Sequence, residues 1–250
     1  MSEIDSKHKF IVVEGPIGVG KTTLAKRLAE SFNTDLLLEG AGEALSAKMF
    51  RVMDPVSHRM MGIRTDITPQ VARIATTRLK QEPRPLRLSY AGQVLRVYGG
   101  QLRPERQFAQ AGVELIGAEE ISADAELILL AAEAVETVGI KRFSIDLTLP
   151  TLLPTICEEI GIEDNRAAEA RDALDQKDAA ALAVFGETLS PILTALLDAS
   201  GPAAPALKRL AHISLAKKAT EQVSQLRGLV SMMEAAAPGL VLTIDSGAYR

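Results

Sequence analysis

Two contrasting zones, and the order in which they occur, most constrain what this chain can fold into. Residues 50–149 contain short segments in which apolar and polar side chains alternate, a pattern typical of strands with one solvated face. Residues 163–237 are instead rich in alanine and leucine, which favours helices. Strands that precede helices, rather than alternate with them, predict an α+β fold with a largely antiparallel sheet, flanking helices and a helical insertion.

The predicted elements follow these zones. Strands are predicted at residues 49–52, 60–63, 86–90, 93–97, 108–116, 142–147 and 240–244. Helices are predicted at 68–79, which begins with the Thr68 and Pro69 start signal, and at 122–139. Gly186, Pro191 and the stretch 200–205 predict breaks that divide the later zone into several helices.

Composition excludes several classes of protein. One cysteine, Cys157, cannot form an intrachain disulfide, and three separated histidines are too few for a cysteine/histidine zinc cluster. The first ten residues lack the apolar centre of a signal peptide, and glutamates interrupt the apolar stretch near residues 127–135, so we predict a cytoplasmic protein that does not enter membranes. The 28 basic and 32 acidic residues give a net charge of -4, which provides no general attraction to nucleic acid.

Residues 15–22, which read GPIGVGKT, match the phosphate-binding pattern G-x-x-x-x-G-K-[ST] between a strand-like run and a helical pattern. Backbone N–H groups of such a loop can surround phosphate oxygens, its lysine can reach the outer phosphates, and its threonine can hold Mg²⁺. A glycine-rich turn without a ligand is the alternative. The predicted residues for binding ATP and Mg²⁺ are Gly15, Gly18, Gly20, Lys21 and Thr22.

The sequence of residues 11–25 resembles the N-terminal segment of the deoxynucleoside kinase family, and the resemblance extends over about residues 9–35. It implies a P-loop that carries ATP for phosphoryl transfer to a nucleoside. The family's base-binding glutamine, its acid/base carboxylate and its arginine-rich lid have no counterparts downstream, so the resemblance covers the loop without the rest of a kinase.

A second candidate site lies in the strand-like segment 106–114. Arg106, Gln110 and Glu114 share one face of an extended strand, and Gly112 between them leaves space for a ligand. An amide and a carboxylate on that face could recognise a small cationic or hydrogen-bonding molecule, whereas a solvated sheet face is the alternative. The stretch 80–106 also carries six basic and two acidic residues, which could bind phosphate.

Asp66 and Thr68 are predicted to lie at the N-terminus of the helix 68–79. In one interpretation they cap the helix. In the other, Asp66 pairs with an ammonium group while free backbone N–H groups attract a carboxylate, which would describe a site for an amino acid.

Residues 64–75 and 90–117 resemble the histidyl-tRNA synthetase-like family, and residues 63–75 and 102–106 resemble more closely its ATP phosphoribosyltransferase regulatory subunits. The resemblance runs over about residues 39–250 and implies a class II aminoacyl-tRNA synthetase-like core. It also implies that Asp66, Thr68, Gln110 and Glu114 bind histidine. Arg96 matches the family's motif 2 arginine, which binds an α-phosphate, so Arg96 is a candidate anion-binding residue. Arg106, from the basic stretch 80–106, is the other candidate.

Departures from the synthetases argue against aminoacylation and against tRNA as a partner. Tyr98 replaces a glutamate, Pro104 replaces a basic residue, and no anticodon-binding domain follows. The resemblance therefore implies a non-catalytic subunit that needs no cofactor, senses histidine in the first step of histidine biosynthesis, and forms a hetero-oligomer with a short catalytic subunit.

The two resemblances predict four segments. These are a P-loop segment at 1–38, a synthetase-like core at 39–160, a helical subdomain at 161–238 and a returning strand at 239–250. The family's motif 1 helix is expected before residue 39, and its second histidine-binding loop is expected after residue 250. A natural fusion and an artefact both remain open, as do two other functions, a P-loop kinase-type ATP-binding protein and an inactive chimeric fragment.

Overall fold

The computed structural model describes residues 47–99 and 104–246, which divide near residue 118 into two compact units. We call residues 47–99 and 104–118 the N-terminal unit, and residues 119–246 the C-terminal unit. The predicted P-loop, with its strand and helix, lies outside the described residues. The predicted segment boundaries near residues 38, 160 and 238 stay predictions.

The N-terminal unit consists of two antiparallel hairpins and one helix. Its elements are β1 (Arg51–Met53), β2 (Met60–Gly62), α1 (Thr68–Thr76), β3 (Leu86–Leu95) and β4 (Gln107–Ile116). β1 pairs with β2, and β3 pairs with β4 along the full length of both strands. The β1–β2 turn forms because the Asp54 carboxylate accepts a hydrogen bond from the backbone N–H of Val56 at 3.1 Å.

The β3–β4 hairpin has one covered face and one solvated face. Its register places Tyr90 opposite Gly112 and Gly92 opposite Gln110. Side chains at even positions of both strands are partly or fully buried, and most of those at odd positions are exposed, which is the alternation expected of a half-buried sheet. Ile67 and Val71 pack with Val94 of β3 to form a small core on the covered face.

Two predicted strands, 86–90 and 93–97, form the single strand β3. The prediction of two strands was wrong because Ala91 and Gly92 interrupt the apolar pattern without interrupting the pairing, which continues through both residues to Ala111 and Gln110.

The C-terminal unit combines seven helices with a three-stranded sheet in the described residues. The helices are α2 (Ile121–Thr137), α3 (Leu152–Glu159), α4 (Asp164–Asp175), α5 (Ala179–Leu182), α6 (Gly186–Asp198), α7 (Ala203–Leu210) and α8 (Lys217–Ala236). The strands are β5 (Ser144–Thr148), β6 (Gly201–Pro202) and β7 (Val241–Asp245), and a 3₁₀ turn at Ala183–Phe185 joins α5 to α6.

The sheet of this unit has the order β5-β7-β6. β6 is antiparallel to β7, whereas β5 is parallel to it. Three of the four strand pairs among the described residues are therefore antiparallel, in agreement with a largely antiparallel prediction, and the parallel pair was not predicted.

The predicted breaks in the helical zone have mixed outcomes. Helix α6 begins at Gly186 and α7 follows the Gly201–Pro202 strand, so two boundaries are confirmed. Pro191 lies inside α6, and the predicted break there was wrong. A proline inside a helix costs about 3 kcal/mol. The fully buried Leu189, Leu193 and Leu196 of the same helix offset that cost, because each buried leucine contributes about 1.5–3 kcal/mol.

One helical stretch, Ala179–Asp198, is long and apolar enough to cross a membrane when only length and composition are considered, with a mean hydropathy of 1.7. It contains the 3₁₀ turn between α5 and α6, and Leu182 and Leu189 are fully buried in the core of the C-terminal unit. Core helices of soluble proteins share these properties, so the stretch is weak evidence for a membrane span.

Candidate ligand-binding site in the N-terminal unit

A polar cluster lies where the segment before α1 crosses the covered face of the β3–β4 hairpin. The Asp66 carboxylate accepts hydrogen bonds from the backbone N–H of Thr68 at 2.9 Å and from the Gln110 amide at 3.2 Å. The Gln110 side-chain oxygen accepts the backbone N–H of Ile67 at 3.0 Å. These bonds bring three of the four predicted histidine-binding residues, Asp66, Thr68 and Gln110, into direct contact.

Asp66 precedes Ile67, which occupies the cap position of α1 without a side-chain cap bond. Its carboxylate accepts the first N–H group of the helix, that of Thr68, and its binding of an amino acid stays a prediction. The same carboxylate binds the amide of Gln110 from β4, which a simple cap does not require. Asp66 therefore joins the helix start to the strand that carries the other predicted site residues.

Glu114, the fourth predicted residue, lies on the same face of β4, two positions beyond Gly112. Burial raises the pKa of the Glu114 carboxyl above its ordinary value, the nearby Thr68 side chain opposes this effect, and the negative charge of Asp66 adds to it. The structure thus gathers two carboxylates, a hydroxyl and an amide at one end of α1.

Tyr90 of β3 belongs to the same polar cluster. Its hydroxyl lies 3.1 Å from the Thr68 hydroxyl. Desolvation raises the pKa of the Tyr90 phenol, the contact with Thr68 lowers it, and the charges of Glu114 and Asp66 raise it further. Its contact with Thr68 and the effect of both carboxylates on its pKa make Tyr90 part of the site.

The Tyr90 ring also fills the space above Gly112. A Cβ added at Gly112 would lie 2.5 Å from Cζ of that ring. The expectation that Gly112 leaves room for a ligand was therefore wrong, because a neighbouring strand supplies a side chain to the gap.

The two candidate anion-binding residues lie at the other end of the hairpin. Arg96 Nε donates to the carbonyl oxygen of Thr65 at 3.2 Å, and its guanidinium lies 4.9 Å from the centre of the Phe108 ring. Arg106 is exposed and precedes β4, and its carbonyl oxygen accepts the backbone N–H of Arg96 at 2.8 Å. Phosphate binding by either residue stays a prediction.

Sequence reasoning missed Tyr90 and Arg64. Arg64 Nε donates to the carbonyl oxygen of Gln93 at 2.7 Å, and a Cβ added at Gly92 would lie 2.5 Å from the Arg64 guanidinium. Both missed side chains pack over a glycine of the hairpin. Knowing that Tyr90 pairs with Gly112 would have identified Tyr90 as a site residue. Strand parity alone does not give this pairing, because the connection between the two strands is long.

The arrangement is suited to a small ligand that carries N–H donors. Ionised carboxylates only accept hydrogen bonds, so Asp66 and Glu114 can bind an ammonium group or a protonated ring nitrogen. In the part of the chain that the structure describes, no group of three or more histidine, cysteine, aspartate or glutamate side chains could hold a metal ion.

A protein-family model described as "Histidyl-tRNA synthetase" matches residues 30–250 of the chain. The matched region contains the whole polar cluster. Residues 15–22, which carry the predicted P-loop, lie outside the match.

The chain is also similar to proteins named ATP phosphoribosyltransferase regulatory subunit. The relative from Paramagnetospirillum magneticum is 53% identical over 209 residues, which cover 84% of this chain and 55% of that protein. The relative from Rhodospirillum centenum is 52% identical over 209 residues, which cover 84% of this chain and 54% of that protein. This chain therefore spans about half the length of the curated relatives it matches.

Two solved structures share the fold. An ATP phosphoribosyltransferase regulatory subunit/histidyl-tRNA synthetase from Bacillus halodurans aligns with a TM-score of 0.73 and 21% identity, over 96% of this chain and 70% of that chain. The ATP phosphoribosyl transferase (HisG:HisZ) complex from Thermotoga maritima contains a chain that aligns with a TM-score of 0.56 and 13% identity, over 91% of this chain and 80% of that chain. Identities this low relate the folds and nothing further.

Proposed function

We propose, because this chain belongs to the histidyl-tRNA synthetase family, that it works as the regulatory subunit of an ATP phosphoribosyltransferase and senses histidine. The predicted class II synthetase-like fold is confirmed by the family match and by the solved structures. The names of the relatives at 53% and 52% identity support the regulatory role over aminoacylation. The exchanges at Tyr98 and Pro104 support the same choice.

The polar cluster of Asp66, Thr68, Gln110 and Glu114 is the observation that carries the proposed histidine site. In this proposal Asp66 binds the α-ammonium group and Gln110 holds Asp66 in place through the 3.2 Å amide contact. Glu114 accepts an N–H of the imidazole ring. The half-buried environment of Glu114 strengthens such an ion pair, because a lower local dielectric strengthens the attraction between charges.

Isothermal titration calorimetry of the chain with histidine tests this proposal. We expect Asp66→Asn to weaken binding by about 10- to 100-fold, because a hydrogen bond to a charged group contributes roughly 1.5–3 kcal/mol. Asp172→Asn is the matched control, since Asp172 is an exposed residue of α4. Wild-type chain that bound no histidine, or Asp66→Asn that bound as tightly as wild type, would contradict the assignment.

The proposed partner is the short catalytic subunit of ATP phosphoribosyltransferase, with which the chain would form a hetero-oligomer in the cytoplasm. The protein from Paramagnetospirillum magneticum carries the regulatory-subunit name, and its similarity to this chain supports this partner. Co-elution of the two purified proteins in size-exclusion chromatography checks the assembly, and separate elution at micromolar concentrations would count against it.

A second candidate function follows from the P-loop pattern at residues 15–22. In this alternative, Lys21 and Thr22 bind ATP and Mg²⁺ and the chain transfers a phosphoryl group to a nucleoside. The resemblance to deoxynucleoside kinases stays a prediction, because residues 9–35 lie outside the described part of the chain. Nucleoside kinase activity that is present in wild type and lost in Lys21→Ala would support it, and absence of activity in both would remove it.

A further inference from the structure

The four proposed histidine-binding residues offer no positive charge to a ligand. Asp66 and Glu114 are acidic, and Thr68 and Gln110 are neutral. A free amino acid carries a carboxylate as well as an ammonium group, and taking an unpaired carboxylate out of water costs free energy. A site for a free amino acid therefore needs a cationic side chain or a set of free N–H groups beside its carboxylates.

The start of α1 does not supply such N–H groups. The Gln110 side chain accepts the N–H group of Ile67 at 3.0 Å, and the Asp66 carboxylate accepts that of the next residue at 2.9 Å. Pro69 has no N–H group. The following two N–H groups bond to the carbonyl oxygen of Ile67 at 2.9 and 3.1 Å. The carboxylate of a bound amino acid consequently needs a different partner.

Arg64 places a guanidinium group on the covered face of the β3–β4 hairpin. Its Nη2 atom lies over Gly92, where an added Cβ would be 2.5 Å away. Gly92 pairs directly with Gln110, and side chains of directly paired residues lie on the same face of a sheet. The guanidinium therefore lies beside the Gln110 side chain, whose amide donates to Asp66 at 3.2 Å.

Hydrogen bonds to β3 hold Arg64 in this place. Its Nε atom donates to the carbonyl oxygen of Gln93 at 2.7 Å, and its own carbonyl oxygen accepts the N–H group of Leu95 at 3.0 Å. Its Nη1 atom makes a longer contact, 3.4 Å, with the side-chain oxygen of Gln70. The guanidinium is thus ordered before a ligand arrives, which lowers the entropic cost of binding.

The positive charge of Arg64 has no ion-pair partner in residues 47–99 and 104–246. In the same residues its Nε and Nη1 atoms have hydrogen-bond acceptors, and its Nη2 atom has none. Arg64 is also half-buried, and the attraction between opposite charges is stronger in such an environment than in water. The Nη2 atom is therefore a free donor, with a favourable electrostatic environment for an anion.

We infer that Arg64 binds the α-carboxylate of the amino acid in the proposed histidine site, while Asp66 binds the α-ammonium group. The inference rests on the proposed function for the identity of the ligand. It adds the residue that distinguishes a free amino acid from an amine that carries the same ring. Arg64 and Asp66 are two residues apart, so one short segment supplies both charges to groups that share one carbon atom in the ligand.

Calorimetric titrations of the chain with histidine and with histidinol test this inference, because histidinol has an alcohol in place of the carboxylate. Wild type should prefer histidine by about 10- to 100-fold, the usual effect of a hydrogen bond between charged groups. Arg64→Gln should remove this preference, by weakening histidine binding and leaving histidinol affinity unchanged. Arg64→Lys keeps the charge and should retain part of the preference.

Two other arginines serve as controls. Arg73→Gln should keep the full preference, because Arg73 is an exposed residue of α1. Arg96 is the competing candidate, since its Nε atom donates to the carbonyl oxygen of Thr65 in the same segment. Arg96→Gln should therefore weaken both ligands to a similar extent if Arg96 only holds that segment. Melting curves of all variants show whether each one folds.

The outcomes separate this inference from the proposed function. Equal loss of histidine and histidinol affinity in Arg64→Gln would show that Arg64 only orders the segment, and the inference would be wrong. A preference that survives in Arg64→Gln and disappears in Arg96→Gln would also overturn it. If wild type binds both ligands equally, the proposed site stands and the role of Arg64 fails. If wild type binds neither ligand, both proposals are wrong.

Discussion

Burial gives Glu114 opposing effects on stability and on binding. Its folded-state pKa is raised above the ordinary 4.5, so between that value and the raised one the folded chain binds more protons than the unfolded chain. The stability of the fold consequently falls as the pH rises through this window. Ionised Glu114 therefore destabilises the hairpin near neutral pH, where the proposed site needs its charge.

The substitution Glu114→Gln should stabilise the fold near neutral pH and weaken histidine binding. Near neutral pH we expect a higher melting temperature than that of wild type, because the amide avoids the cost of burying a charge. Below about pH 4 the advantage should disappear, since wild-type Glu114 is then protonated. Melting curves at both pH values check this. A variant less stable than wild type at neutral pH would show that interactions of the carboxylate fully offset the cost of burying its charge. Histidine affinity should fall in the same variant.

Gly112 is required for a different physical reason. Gly112→Ala should displace the Tyr90 ring and destabilise the chain by about 1–3 kcal/mol, the usual cost of forcing an atom into a packed site. Urea denaturation of the variant measures this cost. Gly239→Ala is the control, because an added Cβ at Gly239 meets no atom within 4 Å. Equal effects of the two substitutions would mean that the ring moves aside freely.

Helix α8 begins with a cap that comes from a different helix. Glu159, the last residue of α3, accepts the backbone N–H groups of Lys218 at 2.8 Å and Ala219 at 3.3 Å. Ala216, the residue directly before α8, makes no side-chain cap bond. A carboxylate at this position satisfies free N–H groups and interacts favourably with the helix dipole, so Glu159 joins α3 to α8.

We expect Glu159→Gln to destabilise the C-terminal unit by about 0.5–2 kcal/mol, because the amide keeps one acceptor oxygen but turns an NH₂ group toward the second N–H and removes the charge. The neighbouring Glu158→Gln is the matched control, because the Glu158–Lys218 ion pair is exposed on both sides and exposed pairs contribute little. Thermal unfolding followed by circular dichroism compares the variants. A larger loss in Glu158→Gln than in Glu159→Gln would contradict the role of Glu159 as the cap.

Sequence patterns predicted elements better than they predicted contacts between elements. Strand parity correctly placed Gln110 and Glu114 on one face, because alternation is a local property of an extended chain. It could not place Tyr90, since register depends on the connection between β3 and β4. The predicted break at Pro191 was wrong for a similar reason. The packing that keeps α6 intact comes from residues distant in sequence, which a local pattern does not reveal.

The parallel pairing of β5 with β7 is the longest-range feature that the sequence did not predict. It joins residues 144–148 to 241–245, with six helices between them in the chain. Short apolar strands have no local signal for the direction of their partner, so the prediction identified both strands without the pairing. The fold of the C-terminal unit therefore depends on the pairing of two strands that are about 100 residues apart in the sequence.

The division of the chain into two compact units gives a prediction about ligand binding. The four proposed histidine-binding residues all belong to the N-terminal unit, where Asp66 contacts Gln110 and Thr68 contacts Tyr90. A ligand that binds the folded state stabilises most strongly the elements that must open to release it. Histidine should therefore slow amide hydrogen exchange in β3, β4 and the start of α1.

Hydrogen exchange followed by mass spectrometry, with and without histidine, measures this effect peptide by peptide. Exchange in α8 should be unchanged, because α8 belongs to the C-terminal unit and its first N–H groups are bonded to Glu159 of the same unit. The Asp66→Asn variant should show no response to histidine in any peptide. Equal protection of α8 and β4 in wild type would mean that the two units open together, and the division near residue 118 would then have no energetic meaning.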